Sequence, residues 1–355
     1  MSLIIDGGRV PTRWMEKKRP VGSVGNQLLR PDWVRVAFIN NMPDGALEDT
    51  EIQFFELLDD ASGDLPVRLS LYALTGVPRG ERGQQHVNNF YSATSHLLNG
   101  QFDAVIITGT EPRQANLRQE PYWSALTDVL DWAENNTASA ILSCLAAHAG
   151  VLHSDGIERH PLGGKQFGVF DFARVGYHGL TDGATDRLCF PHSRWNEVRA
   201  DALTASGYQV LTQSPDGGVD SFVKEKKRSL FVHFQGHPEY GARTLLKEYR
   251  RDIKRFLRNE RETYPSMPKG YFDAAAVPVL AEFRDLALSG RREELIEEFP
   301  EAAIVASVQK TWHSSAIHVY RNWLQYLVAR KANVSAFNAA TAVYHQTLRK
   351  RPALT

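Results

Sequence analysis

The chain has 355 residues, enough for one large α/β domain with an appendage or for two domains. Its 41 basic and 41 acidic residues cancel, which argues against a nucleic acid or an anionic membrane as partner. Two cysteines make no disulfide framework, and no apolar run approaches the roughly 18 residues of a membrane span. We therefore expect a soluble, cytoplasmic protein without a signal peptide.

Strands and helices alternate through the first half of the chain, a pattern typical of a doubly wound, mostly parallel sheet. Residues 1–32 are rich in glycine, proline and basic side chains and predict an N-terminal arm on the surface or against a partner chain. The predicted elements that follow are strands at 34–40, 67–73, 104–107 and 140–142, and helices at 47–58 and 123–132.

The second half is richer in strands and ends in helices. Strands are predicted at 167–172, 208–212, 221–224 and 230–234, followed by a basic amphipathic helix at 242–258. From about residue 270 the pattern is helical, most clearly at 280–288 and 301–330. The apolar stripe of that last segment predicts packing on the main domain or across a homodimer. We divide the chain into the arm 1–32, a main domain 33–275 and a helical extension 276–355.

Cys144 lies where a short apolar strand changes into helix-forming residues. Such a turn lifts the side chain above the sheet edge and leaves the first helix amides free beside it. A cysteine in this position gains thiolate character and has donors for an oxyanion close by. Most free cysteines are small buried residues, so this stretch alone leaves both interpretations open.

The tripeptide His237-Pro-Glu239 follows a predicted strand, as Cys144 does. Because the carboxyl ends of parallel strands line one crevice, both turns can open onto the same site. His237 would then act as base for Cys144 or hold it as thiolate, and Glu239 would orient the ring. By itself the tripeptide also fits a surface turn, but together the two turns favour a cysteine-histidine-glutamate triad.

Several ordered stretches resemble the homoserine O-acyltransferases of the homoserine O-succinyltransferase type, within the class I glutamine amidotransferase-like superfamily. The stretches are Ile39–Pro43, Thr50–Phe54, Ile106–Gly109, Tyr122–Trp123, Lys165–Val169, Pro191–Arg194, Gly236–Tyr240, Tyr264–Pro268 and Tyr271–Phe272. The resemblance covers roughly residues 33–275, which become the acyltransferase domain, and the helical region after 275 extends past the family's usual end. It implies acyl transfer from acyl-CoA to L-homoserine in methionine biosynthesis.

The resemblance also implies a site. Cys144 is expected to take the acyl group as a thioester, with His237 as general base and Glu239 as its partner. Three further residues fall where the family contacts its amino-acid substrate: Lys165, Ser193 and Arg251. The backbone amides of Leu145 and of Met42, in a first loop about two residues longer than the family form, are candidates for the oxyanion hole.

Arg113 aligns with the family position that helps to choose the acyl donor. An arginine facing the acyl pocket would pair with the free carboxylate of a succinyl group, which favours succinyl-CoA over acetyl-CoA. Its side chain could instead point to solvent, with Glu111 filling the pocket. We expect no metal and no permanently bound cofactor. Open alternatives are L-serine as acceptor, a glutaminase-type amidotransferase with the same triad, and a non-catalytic binding protein.

Overall fold

The computed structural model describes residues 3–6, 10–17, 33–308 and 310–349, and for 334–349 it describes the backbone alone. Within those ranges the strands are β1 Leu3–Asp6, β2 Val34–Ile39, β3 Val67–Tyr72, β4 Ala104–Ile107, β5 Ser139–Ser143, β6 His160–Arg174, β7 Arg187–Glu197, β8 Gln209–Ser214, β9 Gly218–Lys226 and β10 Ser229–Phe234. The α-helices are α1 Thr12–Lys17, α2 Asp44–Ser62, α3 Glu81–Phe90, α4 Thr94–Leu98, α5 Trp123–Asn136, α6 Leu145–Asp155, α7 Ala200–Ala205, α8 Thr244–Leu257, α9 Ala276–Ser289, α10 Glu301–Ile304 and α11 His313–Arg349.

All ten of these strands form one sheet, in the order β1-β3-β2-β4-β5-β10-β9-β8-β6-β7. The six from β1 to β10 in this order pair in parallel, and the remaining four pairings are antiparallel. The inner parallel strands β4, β5 and β10 are buried along their whole length, as a sheet covered by helices on both sides requires. The predicted α/β fold is confirmed, and the strands of the alternating first half, β2 to β5, all lie in its parallel part.

Register brings the ends of four strands level at one edge of the sheet. Ile39 of β2 lies opposite Ile107 of β4, and Ile107 lies opposite Leu142 of β5. On the other side of β5, Ser143 lies opposite Phe234, the last residue of β10. The residues that follow these strands therefore meet at one carboxyl edge, where open α/β sheets place their sites.

Helices cover both faces of the sheet. One apolar core joins α2 and α11 to the sheet, with Phe54, Phe55, Tyr320 and Trp323 buried between them. The core of the opposite face includes buried residues of α5 and α6. In the described part of the chain, no helix is long and apolar enough to cross a membrane.

Two predictions about the ends of the chain need correction. Within the N-terminal arm, the described residues Leu3–Asp6 form β1 and pair with β3, so they extend the sheet; residues 18–32 lie outside the described residues. The single helix predicted at 301–330 is two helices, because α10 ends at Ile304 and α11 begins at His313. The apolar stripe of α11 packs on the main sheet.

Candidate active site

Cys144 lies between the end of β5 and the start of α6, at a sharply bent residue. Its backbone has φ 54° and ψ −113°, a conformation that costs a non-glycine residue about 1–3 kcal/mol. The amide of Cys144 donates to the carbonyl of Phe234 at 2.8 Å, which ties the bend to the end of β10. The predicted strand-to-helix turn is therefore present at the carboxyl edge of the sheet.

His237 and Glu239 follow β10, the strand next to β5. The Nδ1 atom of His237 lies 2.8 Å from Oε1 of Glu239, and its ring stacks on Tyr240 with centroids 4.1 Å apart. The backbone amide of His237 donates to the carbonyl of Pro191 at 2.8 Å. The side chain therefore has little freedom to rotate, as a general base requires.

The residue before His237 has to be a glycine. A Cβ atom on Gly236 would lie 2.6 Å from Nε2 of His192 and 2.7 Å from Oδ1 of Asp220. Both neighbours are fully buried and hydrogen-bonded to one another, so neither can move aside cheaply. The close approach of this backbone to the sheet sets the height of His237 above it.

The charges of its neighbours control the protonation of His237. Burial would lower the pKa of His237, but the negative charge of Cys144, the carboxylate of Glu239 and hydrogen bonds to both raise it well above the ordinary value. Cys144 and His237, from separate turns, line one cavity, and the influence of Cys144 and Glu239 favours the imidazolium form of the His237 ring.

A cavity of about 710 Å³ opens above the triad. Its wall includes the predicted residues Met42, Cys144, Leu145, Lys165, Ser193, His237, Glu239 and Arg251. Residues from β5, β6, β7 and α8 therefore converge on one space. The volume is in the range of pockets that take small molecules.

The three predicted substrate contacts gather around Glu248, a buried residue of α8. Ser193 donates to Oε2 of Glu248, and Nζ of Lys165 lies 3.4 Å from the same oxygen. Tyr240 donates to Oε1 at 2.6 Å. Burial would raise the pKa of the Glu248 carboxyl, but the positive charges of Lys165 and Arg251 lower it. Glu248 is therefore an anion at one end of the cavity, which we call the α8 end.

Arg251, one turn after Glu248 on α8, is half exposed and directed along the cavity wall. Its Nε and terminal nitrogen each lie 3.3 Å from Oδ1 of Asp252, whose other oxygen accepts from Lys165 at 2.9 Å. Two acidic and two basic side chains thus alternate at the α8 end. Sequence reasoning missed Glu248 and Asp252, since acidic residues in a basic amphipathic helix read as ordinary surface charges. The close spacing of Glu248 and Asp252 to Arg251 along the helix is the sequence feature that could have identified them.

One of the two amides predicted to form the oxyanion hole, that of Met42, already has a hydrogen-bond acceptor. The amide of Met42 donates to Oδ1 of Asn40 at 3.1 Å, and the preceding amide donates to Oγ1 of Thr108 at 2.8 Å. The first loop therefore uses its amides to hold its own shape. The turn after β4 lies against the start of α6, because a Cβ atom on Gly109 would lie 2.8 Å from the amide nitrogen of Leu145.

Arg113 does not line the cavity. Its side chain is exposed, whereas Glu111 and Pro112 of the same loop are part of the wall. Buried Glu120 accepts the amides of Arg113 and Gln114 at 2.6 and 2.7 Å, and this sets the path of the loop. The expectation that Arg113 meets the acyl group is therefore wrong in its geometry, as the solvent-facing alternative anticipated.

The two cysteines differ in their surroundings. Cys189 lies in β7, and its Sγ is 2.7 Å from Oδ1 of Asp171. Burial and the neighbouring carboxylate raise the pKa of the Cys189 thiol to about 12. Cys189 is therefore a protonated thiol outside the cavity, which leaves Cys144 as the nucleophile candidate. Among the described residues no group of three or more histidine, cysteine or acidic side chains is arranged to hold a metal ion.

Comparison with known proteins assigns this chain to a family. A family model described as homoserine O-succinyltransferase matches residues 21–334. The chain belongs to the homoserine O-succinyltransferase family. The homoserine O-succinyltransferase of Rhodopseudomonas palustris is 44% identical over 85% of this chain and 92% of its own. That of Methylorubrum extorquens is 43% identical over 84% and 88%.

The match to the homoserine O-succinyltransferase family reaches residue 334. The expectation that the region after 275 extends past the family is therefore wrong for residues 276–334. Among solved structures, a glutamine amidotransferase from Thermotoga maritima is 15% identical and covers 83% of this chain and 98% of its own, with a TM-score of 0.44.

Proposed function

We propose that this chain transfers the succinyl group of succinyl-CoA to the hydroxyl of L-homoserine, in methionine biosynthesis, through an acyl-cysteine. The observation that carries the proposal is the convergence of Cys144 and the hydrogen-bonded pair His237 and Glu239 on one cavity, in a chain of this family. The family name supports succinyl transfer to homoserine. The triad supports a double displacement in which the sulfur carries the acyl group.

The first half-reaction begins from the anionic sulfur and the imidazolium. The Cys144 sulfur attacks the thioester carbonyl, a C–S bond to the enzyme forms, and the C–S bond to CoA breaks. His237 gives its proton to the departing CoA thiolate. Acyl-cysteine, neutral imidazole and CoA–SH remain, so charge and protons balance.

Acylation changes the task of His237. The acylated sulfur no longer carries the negative charge that raises the pKa of His237, while burial continues to lower that pKa. A neutral imidazole can accept a proton, so His237 becomes a general base at the stage when one is needed. Homoserine's hydroxyl gives up its proton to His237 and attacks the acyl carbon. Release of the ester restores the anionic sulfur and the imidazolium.

Both tetrahedral intermediates carry an oxyanion that needs donors. Leu145 is the first residue of α6, so its amide has no acceptor within the helix. We assign it one half of the oxyanion hole and assign the other half to the turn at Gly109, since that turn lies against Leu145. Preorganised amide donors of this kind typically contribute a factor of about 10² to 10³ to the rate.

The α8 end of the cavity suits a zwitterionic amino acid. The Arg251 guanidinium can pair with an α-carboxylate, and anionic Glu248 can accept an α-ammonium group. Ser193 and Lys165 contact Glu248 and hold it in place. Binding both charges would direct the side-chain hydroxyl toward Cys144 in preference to water.

Intact-mass analysis after mixing with succinyl-CoA, followed by addition of an acceptor, tests the proposal. We expect one succinyl adduct that maps to Cys144, is discharged by L-homoserine faster than by L-serine, and yields an O-succinyl ester. Cys144→Ala should form no adduct, and the matched variant Cys189→Ala should behave as the unmodified chain does. An adduct on another residue would contradict the nucleophile, and release of ammonia from glutamine would favour the amidotransferase alternative.

A further inference from the structure

Most basic side chains in the cavity wall already have an anionic partner within 4.0 Å. Those side chains are Lys165, Arg251, Arg255 and Arg261, paired with Asp252 or Glu111. Arg194 is deeply buried, and its guanidinium donates to His192 and to the carbonyls of Asn196 and Gly217. Arg251 is the group already assigned to the α-carboxylate of the amino acid, and the others hold the cavity wall together.

Arg159 differs from them. It lies in the turn between α6 and β6, is partly buried, and donates to the carbonyl of Ala115 at 3.3 Å. Within the described part of the chain no carboxylate lies within 4.0 Å of its guanidinium. Neighbouring Glu158 is well exposed and pairs with Arg118 at 2.7 Å. Buried Glu120 uses Oε1 to accept two backbone amides.

Arg159 and Cys144 both line the main cavity. Burial lowers the pKa of Arg159, and the charges of Glu120 and Cys144 are among those that act against this effect. Arg159 borders both the main cavity and an adjoining recess of about 300 Å³, which it shares with His148 and Asn196. A partly desolvated cation beside open space and near Cys144 is suited to bind an anionic group of a substrate.

Succinyl-CoA and acetyl-CoA differ in whether the acyl group carries an anionic group. A succinyl thioester carries a free carboxylate at the far end of a four-carbon chain, whereas an acetyl thioester ends in a methyl group. When the thioester carbon lies at Cys144, the carboxylate has to lie a short distance away. The zwitterion of homoserine takes the α8 end, so the succinyl carboxylate requires a second cationic position.

We infer that Arg159 binds the free carboxylate of the succinyl group and thereby selects the succinyl donor over the acetyl donor, an inference that rests on the function proposed above. Arg159 takes the role that sequence alignment gave to Arg113. The side chain acts in the first half-reaction, before the amino acid is required. Its contribution can therefore be measured without homoserine.

Arg159→Met tests the inference, because it keeps an unbranched apolar stem close to that of arginine and removes the charge. The rate of Cys144 acylation, followed by CoA release and intact mass, is measured with succinyl-CoA, acetyl-CoA and butyryl-CoA. Butyryl matches the chain length of succinyl without its carboxylate. We expect the second-order rate constant of acylation by succinyl-CoA to fall roughly 10- to 100-fold, the scale of a lost charged hydrogen bond, and the values for the other two donors to change less than about threefold.

Arg113→Met is the matched control, since it removes the same charge from an exposed side chain of a neighbouring loop that does not line the cavity. It should leave the rates with all three donors unchanged. Arg159→Lys should recover part of the succinyl rate. Equal losses with all three donors would mean that Arg159 binds the CoA moiety or supports the fold, and would overturn the inference. No change with succinyl-CoA would overturn it too. If the unmodified chain is acylated by none of the donors, the proposed function fails along with the inference.

Discussion

At the residue scale, His237 is the group whose behaviour depends most on its neighbours. Its pKa is raised because Cys144 and Glu239 contribute negative charge and hydrogen bonds that outweigh burial. Removing either partner removes an interaction that raises the pKa of His237. Burial, which favours the neutral ring and lowers the pKa, then has the larger effect. We therefore predict that Cys144→Ala and Glu239→Gln each lower the pKa of His237, so that the imidazolium is lost at a lower pH.

The measurement is a pH titration by NMR of protein labelled with ¹⁵N in its 12 histidines. His148 is an internal control: burial lowers its pKa to about 3, and Nε2 hydrogen-bonds to Gln235 at 2.9 Å, so it should stay neutral in every variant. An unchanged pKa of His237 in Cys144→Ala would mean that the sulfur does not hold the proton on the ring. The proposed order of proton transfers would then be wrong.

How far the sequence predicts the site also depends on individual residues. Cys144 and the His237-Pro-Glu239 turn are predictable, since each follows an apolar strand and the fold brings such ends together. Met42 and Arg113 are different cases. Whether a loop amide is free depends on side chains such as Asn40 and Glu120 that capture it. No local sequence pattern predicts these hydrogen bonds between side chains and loop amides, so they can be identified only in the folded structure.

At the element scale, the turn after β4 and the start of α6 pack so closely that no room remains for a larger side chain between them. A Cβ atom on Gly109 would lie 2.8 Å from the amide nitrogen and 3.0 Å from Cβ of Leu145. Gly109→Ala should therefore push the turn away from the start of the helix. We predict a destabilisation of about 1–3 kcal/mol from overpacking and a fall in kcat of about 10²-fold from the displaced oxyanion donors.

Thermal unfolding and steady-state kinetics of Gly109→Ala check this prediction. Gly163→Ala is the matched control, because a Cβ atom there meets nothing within 4 Å; it should keep both its melting temperature and its kcat. A Gly109→Ala variant with full kcat would remove this turn from the oxyanion hole.

The elements themselves were predictable to different degrees. Ala104–Ile107 is a strand with the predicted bounds, because four consecutive apolar residues in a buried parallel strand leave no ambiguity. The break between Ile304 and His313 was not predictable from the apolar stripe. Buried apolar residues continue across it, as Trp312 packs against the α8 core and donates to the carbonyl of Tyr240 at 2.9 Å. An apolar stripe indicates which residues are buried, and it does not show that the helix is unbroken.

At the scale of the whole molecule, the division at residue 275 stays a prediction, and the packing of the C-terminal helices bears on it directly. Buried residues of α9 and α10 share an apolar core with α8, the helix that carries Glu248 and Arg251. Farther on, α11 lies against the sheet. Its most deeply buried large side chains, among those that the structure describes, are Tyr320, Trp323, Leu324 and Leu327.

We predict that a chain ending at residue 275 does not fold to a stable protein, whereas a chain ending at residue 334 does. Exposing large apolar side chains costs about 1.5–3 kcal/mol each, so the loss of the four from α11 alone approaches the 5–15 kcal/mol that separates typical folded and unfolded states. The longer chain keeps those residues and ends where the family match ends. Circular dichroism, thermal unfolding and succinyl transfer would be compared for both chains and the full one. A chain ending at 275 that unfolds cooperatively within a few degrees of the full chain would contradict the prediction, and would make residues 276–355 a separable extension.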